Sequence, residues 1–298
     1  MISPLKKSRP GWSVIDLAVA LFILLLLVGA AIPLLIQQHR NSHRAQCSYN
    51  LFQLGKAIKS FNELKGFLPP ARIADDYATW MVLIAPYLEK KASDTDHPLE
   101  SWEVERRYAE QFQAVREDHF KVMYCPARRR PSLLSTHGDG DPNVPGAVDD
   151  YACVSGDGNA AFPWTDAKAN GPMILGEVLK EDNGKVLSWR GRTKLDTTSL
   201  KRGLSVTLLL GEKHVPLDDW GRVDSGDGSV YNGRHPASSA RVAGPGFDLA
   251  SEPADPFRNN FGGYHPGVCL FLQADMALRP VTAQITPEVL GRMMVREE

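Results

Sequence analysis

Near its N-terminus the chain carries a continuous apolar run. Residues 17–36 are twenty positions without one charged side chain. As a helix rising 1.5 Å per residue, this run is about 30 Å long, the hydrocarbon thickness of a bilayer. A buried helix of a soluble protein would show a polar stripe, and this run has none. The pattern therefore predicts a transmembrane helix over residues 12–36, kinked at Pro33 because proline removes a backbone donor.

The charges on either side of the run indicate its orientation. The cations before it are Lys6, Lys7 and Arg9, and those after it are Arg40 and Arg44. This small excess favours a cytoplasmic N-terminus. We therefore expect a single-pass protein of the inner (cytoplasmic) membrane, with the residues from about Ser42 onward outside the cytoplasm.

Helical periodicity continues beyond the apolar run. Apolar side chains recur there at intervals of three and four residues: Cys47, Leu51, Leu54, Ile58, Phe61 and Leu64. Gly66 and the prolines that follow it should end the helix. We expect one long helix to about Lys65, whose second half, residues 37–65, packs on a head formed by residues 66–298.

In the head, short apolar runs alternate with loops rich in Gly, Asp and Pro, a pattern typical of strands. Strands are predicted at residues 121–124, 151–154, 173–175, 185–189, 205–210, 268–273 and 277–281. Helices are predicted around residues 80–88, over 102–119, and from Thr286, with Pro287 at the first helical position. The predicted fold class is α+β, a long N-terminal helix on a mainly antiparallel β head.

Composition and charge narrow the functional classes. The 298 residues are 43% hydrophobic and 23% charged, which is typical of a globular protein and not of a disordered chain. A net charge of −1 gives no indication of a nucleic-acid partner. The sequence has no Gly-x-Ser-x-Gly elbow, Walker loop, HExxH or CxxC motif, so nothing points to an enzyme.

The residues before the apolar run resemble the type IV prepilin and pseudopilin signal. Basic residues are followed by Gly11, Trp12, a small polar residue, two aliphatic residues and Asp16. The resemblance implies that a prepilin peptidase removes residues 1–11 by cutting between Gly11 and Trp12, and methylates the new N-terminus. It also implies that Asp16, where the family has Glu, pairs with the terminal amine of a neighbouring subunit, which would offset the cost of an intramembrane carboxylate.

Motifs in the head resemble, in order, a large family of planctomycete prepilin-like proteins catalogued as domain of unknown function 1559. They lie at residues 44–51, 53–55, 66–70, 86–89, 124–126, 150–151, 203–212 and 265–267. The family ends in His, nine residues and Asp-Gly; His265 and Asp275 keep this spacing, and Met276 replaces the Gly. Because Met disfavours the left-handed turn position, we expect a turn of another type here.

His265 and Asp275 flank one predicted strand. Fully extended, that strand would hold them about 33 Å apart. We therefore interpret them as turn and packing residues and not as a catalytic pair or a shared metal site.

Four cysteines, Cys47, Cys125, Cys153 and Cys269, allow three complete pairings outside the cytoplasm. Cys47 and Cys125 both fall on family motif positions, so the resemblance implies a disulfide between them.

One segment has the spacing of a calcium loop. Asp139, Asp141 and Asn143 alternate, and Asp150 lies at loop position twelve. Val144 stands where such a loop needs Gly, so a polar turn is the preferred interpretation, and calcium, the one possible cofactor, is the alternative.

The function expected from these features is that of a membrane-anchored, pilin-like or pseudopilin-like structural subunit of a type IV pilus or type II secretion-like system, without catalytic activity. Its expected partners are the membrane, a prepilin peptidase and other pilin-like subunits. The alternative is a membrane-tethered extracytoplasmic binding module or enzyme that does not assemble.

Overall fold

The computed structural model describes residues 14–88, 97–128, 132–140 and 143–297. The chain divides into two compact units, Met1–His43 and Arg44–Glu298. Helix α1, Val14–Lys65, is 52 residues long and contributes to both units.

In the first unit, α1 carries the apolar run. An 18-residue window of the helix reaches a mean hydropathy of 3.0, and none of that window is buried by protein. The helix is continuous through Pro33. By length and composition α1 can cross a membrane, a property that it shares with signal sequences.

In the second unit, α1 presents the predicted stripe to the core. Cys47, Leu51, Leu54, Ile58 and Phe61 are buried. Leu64 is 69% exposed, so its place in the stripe was wrong. The core ends one turn earlier, where the ring of Phe61 packs edge-on against Phe67 and Tyr87. Gly66 ends the helix with φ +78, and its N–H donates to the carbonyl of Asn62 at 2.8 Å.

The remaining helices are short, and the strands form two sheets. The helices are α2 Trp80–Ile84, α3 Gln113–Glu117 and α4 Pro287–Met294. The strands are β1 Tyr151–Gly156, β2 Glu177–Asp182, β3 Lys185–Arg190, β4 Leu208–Glu212, β5 Ala240–Val242, β6 Val268–Gln273 and β7 Leu278–Thr282. The main sheet has the order β5-β1-β4-β6-β7, and only the β1–β5 pair in it is parallel. Strands β2 and β3 form a separate antiparallel hairpin. The fold is therefore α+β with a mainly antiparallel sheet.

Alternate residues of the sheet face two cores, as a strand period of two requires. One core contains the α1 stripe together with Tyr151, Cys153, Leu210, Leu270 and Leu272. The other contains Ala152, Val154, Leu208, Cys269 and Phe271 with Leu290, Met293 and Met294 of α4. The second half of α1 and helix α4 thus cover opposite faces of the sheet.

Several predicted elements were wrong. Residues 102–119 form no continuous helix, because extended backbone at Arg107, Gln111 and Phe112 leaves only a 3₁₀ turn and α3. Residues 121–124 contain a 3₁₀ turn at Lys121–Met123 and no strand. Residues 173–175 form no strand either. Strands β2 and β5 were not predicted.

The turn after β6 also differs from expectation. Met276 adopts the left-handed conformation, with φ +71, although a residue with a side chain is unfavourable there. Gln273 N–H donates to Ala277 O at 2.8 Å, and Met276 N–H donates to Gln273 O at 2.9 Å, which closes a three-residue hairpin loop. Room for the Met276 side chain is provided by Gly55 on α1, where a Cβ would lie 3.0 Å from the Met276 sulfur.

Candidate functional site

Four side chains from separate segments meet at the end of β4. Cys47 lies on α1, Cys125 follows the 3₁₀ turn Lys121–Met123, Glu212 ends β4, and His265 precedes β6. One ligand-type atom of each lies within 4.8 Å of the corresponding atoms of the others. The four residues are at most 5% exposed. We call them the Cys–Glu–His cluster.

Asn50 positions the two cysteines. It lies one helical turn after Cys47 on the buried side of α1. Its side-chain amide donates to the carbonyl of Tyr124 at 2.7 Å and to the hydroxyl of Tyr151 at 3.3 Å. This contact fixes the backbone next to Cys125 against the helix and against the first residue of β1.

Asp150 holds the Cys125 segment from the other side. One carboxylate oxygen accepts the backbone N–H of Cys125 at 2.7 Å, and the other accepts from the guanidinium of Arg128 at 3.1 Å. The backbone N–H of Asp150 donates to the carbonyl of Met123 at 2.9 Å. Arg128 also lies over the ring of Tyr264 at 4.7 Å. Asp150, which directly precedes β1, thereby fixes the position of Cys125.

Glu212 directs one carboxylate oxygen into the cluster. Its Oε2 accepts the backbone N–H of Leu270 at 2.8 Å, which orients the side chain. Its Oε1 lies 3.2 Å from His265 Nε2 but makes no hydrogen bond of good geometry. His265 Nε2 also lies 3.5 Å from Cys125 Sγ. His265 is itself held by Val268, whose N–H donates to its carbonyl at 3.2 Å.

Cys47 and Cys125 form a disulfide, the pair that the family resemblance implies, with Cα atoms 5.3 Å apart. Cys153 and Cys269 are free and buried, and burial raises the pKa of both thiols. Cys269 Sγ lies 3.6 Å from the backbone carbonyl of Glu212 and takes no part in the cluster. The structure thus divides the cysteines into one bonded pair and two buried thiols.

Buried charges continue beyond Glu212. Lys213 Nζ lies 2.7 Å from Asp149 Oδ1 and 3.4 Å from Asp227 Oδ1, and it donates to the carbonyl of Ser238 at 2.9 Å. The side chains of these three charged residues are fully buried. Burial also lowers the pKa of the nearby Arg241 to about 9. Charges at this depth persist because each has opposite charges or backbone carbonyls as partners.

Glu212 and Lys213 were not predicted as site residues. The signal that could have found them is a pair of charged residues at the point where the buried apolar strand β4 ends. The pair Asp149–Asp150 directly before β1 is the matching signal on the neighbouring strand. Charged residues that adjoin a buried strand need partners, and here they meet because β1 and β4 are antiparallel neighbours.

Of the proposed calcium ligands, Asp139 is buried and bonded to protein groups. Its carboxylate accepts the N–H of Ser229 at 2.7 Å and the amide of Asn232 at 3.1 Å. Its backbone N–H donates to Asn143 Oδ1 at 2.8 Å. Burial raises the pKa of the Asp139 carboxyl. Asp139 and Asn143 therefore stabilise a turn.

Of the other two calcium candidates, Asp141 lies outside the described residues. Asp150 makes the contacts to Cys125 and Arg128 given above. Within the described part of the chain, the Cys–Glu–His cluster is the one group of three or more close ligand-type side chains, and it contains neither Asp139 nor Asp150.

The two residues of the C-terminal motif have separate surroundings. His265 belongs to the buried cluster, whereas Asp275 is exposed beyond the far end of β6. Asp275 Oδ1 accepts the N–H of Ala277 at 3.0 Å and so stabilises the hairpin loop. His265 was predicted to be a turn and packing residue, but it lies among side chains of the types that bind metal ions.

The structure describes only the last residues of the prepilin-like signal, because the described residues begin at Val14. Asp16 is in the first turn of α1, where a carboxylate interacts favourably with the helix dipole. Gly11 and Trp12 lie outside the described residues.

A family model matches residues 37–288, which include the second half of α1, all seven strands and the whole cluster. Neither a curated protein nor a solved structure matches the chain. The matched model is described as "Protein of unknown function (DUF1559)". Since the match covers most of the sequence, the chain belongs to the DUF1559 family.

Proposed function

We propose that this protein is a pilin-like or pseudopilin-like structural subunit, anchored in the inner membrane by the first part of α1, with the second unit outside the cytoplasm. The observation that carries the proposal is the division of α1. Its first part is apolar on all sides and is not covered by protein, whereas its second part buries a single stripe. An apolar helix surface without protein cover is stable in lipid and costly in water.

The Cys47–Cys125 disulfide supports an extracytoplasmic location for the second unit. Disulfides persist in oxidising compartments and are rare in the cytoplasm, where thiols are kept reduced. The two other cysteines are buried, so exchange with the bonded pair is hindered.

Asp16 supports assembly with other pilin-like subunits. The residues around Asp16 resemble the prepilin signal, in which the acid at this position pairs with the N-terminal amine of a neighbouring subunit. That amine would be exposed when a prepilin peptidase cuts between Gly11 and Trp12.

A structural role fits the buried cluster better than catalysis. Its four residues are at most 5% exposed, which gives a substrate no approach. The hydrogen bonds of Asn50, Asp150 and Glu212 all serve to hold segments together.

The test is the mass of the mature N-terminus of the full-length protein, produced in cells that contain a prepilin peptidase and extracted in detergent. We expect a chain that begins at N-methylated Trp12. The matched control is Gly11→Val, which should retain the leader and begin at the original Met1. An uncut wild-type chain would contradict processing as a pilin-like subunit. It would favour the alternative, a tethered binding module or enzyme that does not assemble.

A further inference from the structure

The Cys–Glu–His cluster contains a disulfide, but its four side chains are also of the types that bind metal ions. Two thiolates, one imidazole and one carboxylate are ligands that zinc accepts, and four is the number it takes in closed structural sites. The four atoms come from Cys47, Cys125, Glu212 and His265 and lie within 4.8 Å of one another. No covalent or steric requirement of a disulfide explains why a buried carboxylate and an imidazole lie beside it.

Glu212 provides an independent observation. Its Oε1 is buried and makes no hydrogen bond, although its Oε2 is well bonded to Leu270 N–H. An oxygen of a buried carboxylate without a hydrogen bond is costly. Oε1 lies at ion-pair distance from His265 Nε2, 3.2 Å, without a hydrogen bond, and in the same cluster as the two sulfurs, so a cation between these atoms would supply a ligand bond in its place.

We propose that, when the Cys47–Cys125 disulfide is reduced, the Cys–Glu–His cluster binds one zinc ion, so that the same four side chains hold either a disulfide or a metal.

The geometry needs only side-chain movements. Zinc bonds of 2.0–2.3 Å in a tetrahedron place neighbouring ligand atoms about 3.3–3.8 Å apart. Separations of up to 4.8 Å contract to that range by small rotations. The two sulfurs must instead move apart from bonding distance, and Cα atoms 5.3 Å apart allow this without backbone displacement.

The chemistry balances with a dithiol as the reductant. The dithiol passes two electrons and two protons to the disulfide, the S–S bond breaks, two thiols form, and the dithiol becomes a disulfide itself. Zinc then displaces the two thiol protons, so the buried cluster has the same net charge as in the dithiol form. Oxidation by a protein disulfide reverses both steps and releases the ion.

The proposed function implies that the reduced, zinc-bound form precedes the disulfide form, and this order rests on the proposed function. A head that is still reduced would hold these segments together through the metal. After the head reaches an oxidising compartment, the disulfide would replace it. Metal binding by the reduced protein does not depend on that route.

The experiment uses the full-length protein in detergent, reduced with a phosphine that is then removed, and titrated anaerobically with Co²⁺ as a spectroscopic substitute for zinc. We expect one Co²⁺ per chain, with thiolate-to-cobalt charge-transfer absorption that Zn²⁺ abolishes. The oxidised protein should show no such absorption. Because both samples are the wild-type chain, the comparison does not depend on the folding of a variant.

Variants identify the ligands. Cys153→Ala, which removes a buried thiol outside the cluster, should leave the absorption unchanged, whereas Cys47→Ser with Cys125→Ser should abolish it. Glu212→Gln should weaken Co²⁺ binding roughly 10-fold or more, since even groups that only orient metal ligands are worth that much. Absence of thiolate–cobalt absorption in the reduced wild type, or its loss in Cys153→Ala, would overturn the proposal. Neither result would bear on N-terminal processing.

Discussion

At the scale of single residues, Asp150 connects the disulfide to the sheet. It accepts hydrogen bonds from the backbone of Cys125 and from the guanidinium of Arg128, and the side chains of Asp150 and Arg128 are 1% exposed. Removing one partner of a buried ion pair leaves the other charge uncompensated, which is more costly than the pair itself is favourable.

We therefore expect Asp150→Ala to lower the free energy of unfolding by about 3–5 kcal/mol. Urea denaturation of the detergent-solubilised protein measures the change. Asp182→Ala is the matched control, because Asp182 is exposed at the end of β2 and its loss should cost about 0.5 kcal/mol or less. Equal effects of the two substitutions would mean that the buried pair does not stabilise the fold.

His214 gives the fold a dependence on pH. Burial, and to a smaller extent the neighbouring cations Arg128 and Arg241, lower the pKa of its imidazole to about 4. Its Nε2 lies 2.7 Å from the carbonyl of Asp255, the contact of a neutral ring that donates from that nitrogen. The folded state therefore disfavours the protonated ring that the unfolded chain adopts below a pH of about 6.5.

The contribution of His214 is complete above pH 6.5 and decreases as the pH falls towards 4, where both states bind the proton. The loss amounts to about 3 kcal/mol between these limits. We expect His214→Gln, which keeps a donor for Asp255, to reduce the slope of unfolding free energy against pH in this interval. The same slope in wild type and variant would assign the pH dependence to other groups.

At the scale of elements, the packing of α1 on the sheet depends on Gly55. A Cβ at this position would collide with the side chain of Leu272 on β6 and would lie 3.0 Å from the sulfur of Met276. Leu272 is fully buried and has little room to move. Gly55 thus sets the distance between the helix and the central strands, and it makes room for Met276 at the hairpin turn.

Gly55→Ala should therefore destabilise the protein by about 1–3 kcal/mol through overpacking, although alanine favours helix. Thermal unfolding measures the effect. Lys59→Ala on the same helix is the control, because its ion pair with Glu63 is exposed and worth little. A Gly55→Ala protein as stable as this control would show that the helix can move away from the sheet at no cost.

The sequence predicted elements whose pattern is local. The stripe on α1 repeats at helical spacing and was found, although it ends at Phe61 and not at Leu64. Residues 268–273 are a continuous apolar run bounded by turn residues, and this strand was found with correct limits. A helix was predicted over residues 102–119 because Val104, Tyr108 and Phe112 are apolar at helical intervals. Tyr108 instead lies beside Trp102, whose ring packs against Tyr231, a contact between distant parts of the chain.

The candidate site required tertiary information. Cys47, Cys125 and His265 each stood out in a motif, but their motifs are separated by 78 and 140 residues. Only the antiparallel pairing of β1, β4 and β6 brings them together around Glu212. No local pattern encodes that order of strands, so the cluster could not be derived from spacing.

At the scale of the whole molecule, two parts of the chain are suited to different surroundings. The first part of α1 exposes leucine, isoleucine and valine on every side, whereas the second unit has its own two cores and a buried network of charges. A soluble protein seldom exposes so large an apolar surface. Lipid around the first part and water around the second satisfy both observations, as the proposed membrane-anchored arrangement requires.

The most direct test of this account is the location of the C-terminus in cells, measured with two reporters fused there in parallel. One is a phosphatase that is active only outside the cytoplasm, and the other is a fluorescent protein that matures only inside it. We expect an active phosphatase, no fluorescence, and recovery of the protein only with detergent. A fluorescent, phosphatase-inactive fusion, or a full-length chain that dissolves without detergent, would contradict the membrane-anchored arrangement.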